Sequence, residues 1–197
     1  MQCNGTVTYY FSEPCNDPTS AHPSYPLKQR RVVTIKGDGN CLFRALSHQL
    51  FNTEEHHLFI RTTLVRLETS NPHLFKDSIN NSLSDHCASI IKPYVWGTHV
   101  ELLAAATLFD KPVYYFDVKS QKWGVWRPAT QSCRSKVQLK VPIISTWPAE
   151  LSPISHLELE YHQNQHYNSI VNATTNLPCI EEPDIPTTHI YIHDTLS

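Results

Sequence analysis

Cys41, His166 and Asn168 are the residues whose types and surroundings could do chemistry. Cys41 follows a Gly37-Asp38-Gly39-Asn40 turn and precedes Leu42-Phe43-Arg44-Ala45-Leu46, where an apolar helical pattern begins. A thiol placed there is presented by the turn, and the positive end of a helix dipole favours its thiolate. Most cysteines are buried and inert. A glycine-rich lead-in has no purpose for such a residue, so Cys41 reads as a nucleophile. His166 in His166-Tyr167-Asn168 has the make-up of its base. In a strand, residues two apart share a face, so Asn168 can lie beside the imidazole and hold its tautomer. His-x-Asn alone is weak in a chain with 12 histidines, and Cys41 gives it weight.

The elements that must position these groups follow from periodicity. Arg30 to Ile35 alternates weakly, as a short strand does. Leu42, Leu46 and Leu50 predict a helix over Cys41 to Phe51. Asn52 with Glu55 signals the start of a second helix, which runs to Glu68. Asn71-Pro72 opens a short third, and Ser84 to Ile91 forms a fourth. Thr98 with Glu101 makes a capping box for a helix over Val100 to Phe109, stopped by Asp110-Lys111-Pro112. Val113 to Val118 and Lys122 to Trp126 pair as a hairpin. Gln131 to Ser135 reads as a loop, and Val137 to Ile144 holds a strand interrupted by Pro142. Leu157, Leu159 and Tyr161 alternate with Glu158 and Glu160 as a half-buried strand, returned by His166 to Val171. Helices first and strands later predict an α+β domain, a small central sheet packed between helices. Residues 1–28, broken by Pro14, Pro18, Pro23 and Pro26, read as an irregular arm. Residues 29–173 form the domain, and 174–197 a Pro- and Thr-rich tail with one isolated β-like run at His189 to Ile192.

Composition excludes several classes. A net charge of −2 and no Lys/Arg run argue against nucleic acid as partner. Val100 to Phe109 is too short to span a bilayer, and the first residues lack a signal-peptide pattern. Six cysteines in a chain able to build its own core read as reduced thiols, which predicts a cytoplasmic protein, extending to the nucleus. Cys41, Cys87, Cys133 and Cys179 are evenly spaced, but their flanks differ, so no repeat is inferred. No Cys-x-x-Cys or His-Glu-x-x-His occurs, so neither metal nor cofactor is expected.

From Val32 to Asn172 the chain resembles the ovarian tumour (OTU) family of cysteine proteases, many of them deubiquitinases. The resemblance rests on Gly37 to Ala45, on Gly97 with Glu101-Leu102, on Lys111-Pro112-Val113, and on His166-Tyr167-Asn168. It implies a papain-type OTU fold with Cys41 as nucleophile, His166 as base and Asn168 as orienter, a position where the family takes Asn or Asp. It also implies an oxyanion hole from backbone N–H groups of the loop Asp38, Gly39, Asn40 and Cys41. Trp96, Gly97 and His99 on one side and Tyr161 on the other would flank the substrate. The implied activity is hydrolysis of isopeptide bonds after the C-terminal glycine of ubiquitin or polyubiquitin, through a thioester, by a monomer. Two alternatives stand beside it: a protease for a ubiquitin-like modifier, and an inactive ubiquitin-binding module.

Overall fold

In the computed structural model, residues 30–80, 82–129, 140, 147–163, 165–179 and 190–193 are described. A six-stranded mixed sheet has the order β1-β5-β4-β2-β3-β6. Its strands are β1 (Arg30–Val33), β2 (Val113–Asp117), β3 (Lys122–Trp126), β4 (Leu157–His162), β5 (His166–Asn172) and β6 (Ile190–His193). The β1–β5, β5–β4 and β2–β3 pairs are antiparallel, while β4–β2 and β3–β6 are parallel. The helices are α1 (Cys41–Phe51), α2 (His57–Ser70), α3 (Pro72–Phe75), α4 (Leu83–Ile90) and α5 (His99–Phe109). The α+β expectation holds.

Helix α1 forms where the leucine spacing predicts, and Leu42, Phe43, Ala45, Leu46 and Leu50 are all buried. It lies against β5 and α2. The same helical core takes in Val113, Leu157, Leu159 and Tyr167, the inward residues of alternating strands. On the other face of the sheet, Tyr114, Trp123, Val125 and Ile170 form a second, smaller cluster. The described helices therefore gather over one face.

Three expectations need adjusting. Asn52 does not start α2; it closes α1 in the left-handed region at φ 56°, its N–H donating to the His48 carbonyl. Asn tolerates that conformation and caps either helix end, so sequence alone does not tell which. Helix α2 begins at His57, later than Asn52 implied. The run at the tail is not isolated, since Ile190–His193 pairs in parallel with β3 at the sheet edge. Packing also continues past residue 173, where Val171 bridges to Pro178 and Cys179 is buried. The Thr98–Glu101 capping box is present with both of its hydrogen bonds. The N-terminal arm, the loop over 131–135 and most of the 137–144 strand lie outside the described residues.

Candidate active site

The nucleophile loop is cross-linked before it reaches α1. The Asp38 carboxylate accepts the Asn40 N–H at 3.1 Å and the Arg44 guanidinium fork at 2.7–3.2 Å. Arg44 holds the Asp38 carboxyl well below the usual carboxylate range. Gly39 has φ 79°, and a Cβ there would lie 2.1 Å from the Tyr94 carbonyl oxygen. Only glycine satisfies both conditions. The buried Asn40 side chain accepts from the Tyr94 N–H at 2.9 Å and from Arg61 Nη2 at 2.8 Å. Arg61 is 1 % exposed, and it also donates to the carbonyls of Ile90, Val95 and Gly39 while lying 3.8 Å over the Phe43 ring. One guanidinium thus ties the nucleophile loop to the 91–97 segment.

Cys41 is the first residue of α1, is 2 % exposed, and donates its S–H to the Gln165 carbonyl at 3.4 Å. Burial raises the thiol above its ordinary value; the backbone N–H groups of Tyr167, Leu42 and Cys41 itself pull the other way. The sequence expectation of a thiolate favoured at a helix start is outweighed here, because desolvation of the charge exceeds what those dipoles return.

Across the loop, Gln165 turns the chain at φ 62° into β5, whose first residue is His166. Its Nε2 lies 3.0 Å from Asn168 Oδ1, while its Nδ1–Cε1 edge faces Gly37, where an added Cβ would be 3.5 Å from both atoms. Asn168 Oδ1 also accepts the Ile35 N–H at 3.0 Å, and its Nδ2 donates to Glu160 Oε2 at 2.8 Å. His162 Nε2 sits 2.9 Å from the same Glu160 oxygen. Cys41 through Gln165, and His166 through Asn168, therefore meet at one end of the β4–β5 hairpin.

The remaining sequence candidates are spread. Trp96 is 52 % exposed, on the same segment as Tyr94 at 69 %. Gly97 is buried against α1, where a Cβ would meet Leu42 Cδ2 at 2.6 Å. His99 bonds the Ser78 carbonyl at 2.9 Å and stacks on Trp126. Tyr161 packs edge-on to Tyr115 and beside Tyr167, and burial raises its phenol.

Sequence reading missed Arg61, Glu160 and His162. The signal for Arg61 was its place beside Ile60 and Leu64 on the apolar side of α2. The alternation of a half-buried strand puts Glu158 and Glu160 on its solvent face. Glu158 is instead buried, held by Arg30 at 2.7 Å and His156 at 2.7 Å, and these partners keep its carboxyl low although burial alone would raise it.

A second polar cluster joins α2, α4 and α5. Donor atoms of Glu68, His86 and Glu101 lie within 4.8 Å of one another, and Cys87 Sγ is 3.6 Å from Glu68 Oε2. Glu68 is 0 % exposed, and burial together with the Glu101 charge pushes its carboxyl up to about 9. A proton on Glu68 relieves the repulsion between the two carboxylates.

A family model described as OTU-like cysteine protease matches residues 36–167. The chain belongs to this family. It is 40% identical over 75 residues to OVARIAN TUMOR DOMAIN-containing deubiquitinating enzyme 9 of Arabidopsis thaliana, a match covering 38% of this chain and 22% of that protein. It is 27% identical to deubiquitinating enzyme 11 of the same plant, over 79% of this chain and 54% of the relative. The chain thus spans about half or less of the length of these relatives. Its fold matches an OTU domain solved in complex with ubiquitin, with TM-score 0.57 and 16% identity over 81% of this chain and 78% of that one. It matches the OTU domain of OTUD1 with TM-score 0.54 and 18% identity over 74% of this chain and 88% of that one. Both likenesses establish the α+β OTU fold.

Proposed function

We propose that this OTU domain is a deubiquitinase that cleaves isopeptide bonds after the C-terminal glycine of ubiquitin, with Cys41, His166 and Asn168 as its triad. The observation that carries the reading is the His166–Asn168 contact at 3.0 Å through Nε2. It commits one ring nitrogen to the amide oxygen and leaves Nδ1, on the Gly37 edge, as the nitrogen that takes the thiol proton.

Catalysis then runs in two steps. Cys41 loses its proton to His166 and attacks the glycine carbonyl. The tetrahedral oxyanion is met by backbone N–H groups of the loop from Asp38 to Cys41. Two of that loop's amides are engaged at rest, Asp38 with the Lys36 carbonyl and Asn40 with the Asp38 carboxylate, which favours Gly39 and Cys41 as donors. His166 gives its proton to the departing lysine amine, leaving a thioester on Cys41. Water deprotonated by His166 hydrolyses that ester and restores the thiol. The resting S–H bond to the Gln165 carbonyl gives way to proton transfer to His166 before attack.

A channel flanked by aromatic side chains such as the exposed Tyr94 and Trp96 would suit a Gly-Gly terminus and exclude larger side chains. Purified protein incubated with diubiquitin of each linkage tests the reading. Release of monoubiquitin, abolished by Cys41→Ala and by His166→Ala, is expected. A modifier other than ubiquitin as the sole cleaved substrate, or binding without cleavage, would replace it.

A further inference from the structure

The Asn168 amide faces two groups that cannot exchange roles. The Ile35 N–H only donates, and it reaches Asn168 Oδ1 at 3.0 Å. The Glu160 carboxylate, when ionised, only accepts, and it takes Asn168 Nδ2 at 2.8 Å. An amide turned by 180° would set its N–H against the Ile35 N–H and its oxygen against a carboxylate. The oxygen is therefore the atom presented to His166, and Nε2 must carry a proton to bond to it.

We propose that Glu160 is a positioning residue for His166, fixing the orientation of the Asn168 amide and through it the histidine tautomer. This rests on the protease reading above. Glu160 is built for the role by strand register. It lies directly across the β4–β5 ladder from Asn168, as His162 does from His166, so all four side chains share one face of the hairpin. His162, two residues on in β4, holds Glu160 Oε2 at 2.9 Å and keeps the carboxylate from swinging to solvent. The arrangement also dictates the amide at position 168. The family accepts Asp at the orienter position, but here an Asp would put a carboxylate against the Glu160 carboxylate.

The test combines turnover of a ubiquitin substrate bearing a fluorogenic C-terminal amide with iodoacetamide alkylation of Cys41 across pH. The variants are Glu160→Ala, Glu160→Gln, Asn168→Asp and the Asn168→Asp/Glu160→Gln double variant, each first shown by thermal melting to be folded. Glu160→Ala is expected to lower kcat about 10-fold, the value of one charge-assisted hydrogen bond, with KM within about twofold. Its alkylation profile shifts to higher pH, because a misoriented imidazole supports the thiolate less. Glu160→Gln, which can still accept from Asn168, stays within about threefold of wild type. Asn168→Asp loses at least about 10-fold, and adding Glu160→Gln recovers most of it. An unchanged kcat and alkylation profile in Glu160→Ala overturns the proposal. So does an Asn168→Asp defect that is the same with and without Glu160→Gln. If wild type turns over no ubiquitin substrate while the alkylation shifts appear as described, the positioning role stands and the substrate assignment falls.

Discussion

Arg61 offers the most demanding check on how the nucleophile loop is held. Its guanidinium makes contacts of 2.6 Å to Ile90 O, 2.8 Å to Val95 O, 2.8 Å to Asn40 Oδ1 and 3.3 Å to Gly39 O. Burial lowers its pKa to about 10, so it stays charged at neutral pH. Replacing it with Met leaves the Ile90, Val95 and Gly39 carbonyls without this donor, while Asn40 Oδ1 keeps the Tyr94 N–H. Each such group costs about 1–3 kcal/mol, and because they are neighbours their costs do not add in full. A loss of about 3–5 kcal/mol follows from three such carbonyls left unpaired together. At about 2–4 °C per kcal/mol for a chain of this size, the melting temperature falls about 6–20 °C. Lysine carries the charge but not the planar fork, so Arg61→Lys recovers less than half of the loss. Calorimetry gives the stability, and turnover measured well below both melting points gives the site geometry. Since Arg61 binds Gly39 O and the Asn40 side chain, turnover falls even where the variant is fully folded. Arg61→Met melting within 2 °C of wild type, or folded and fully active, would refute the reasoning.

Three further outcomes are expected. Gly39→Ala forces a Cβ into the Tyr94 carbonyl at 2.1 Å and a side chain into φ 79°, so kcat falls at least about 10-fold, read by steady-state turnover with melting as control. Glu68 holds its proton to about 9 when folded but ionises near 4.5 when unfolded, so between those values the folded chain binds more protons and stability falls as pH rises. Glu68→Gln should flatten that slope and stabilise the chain at pH 8 by roughly 1–3 kcal/mol, seen in urea melts at pH 5 and 8. Thr98→Ala removes the acceptor for the Val100 N–H and should cost about 1 kcal/mol by the same melts, without altering KM.

What was legible in the sequence was local. The leucine spacing of α1, the Thr98–Glu101 box and the β2–β3 hairpin each depend on residues a few positions apart, and each formed where expected. What escaped was set by distant partners. Glu158 looked like a solvent-facing strand residue because Arg30, its bidentate partner, lies 128 positions away. Glu160 looked the same because nothing in β4 announces Asn168 across the ladder. The run near His189 looked stranded because its partner is β3, which precedes it by more than 60 residues. The thiolate expectation for Cys41 took account of the helix start and not of the burial that opposes it. In the site itself, the Cys41 turn and the His166–Asn168 pair are readable from residue types, while Arg61, which braces the nucleophile loop, is one of several polar residues in α2 and nothing local sets it apart.

The central claim, that Cys41 is a nucleophile for a ubiquitin C-terminus, is tested most directly by ubiquitin carrying a C-terminal propargylamide. Intact mass spectrometry should show one ubiquitin added to wild type, a peptide map should place it on Cys41, and Cys41→Ala should take up none. No adduct on wild type, or an adduct that persists in Cys41→Ala, would contradict the account.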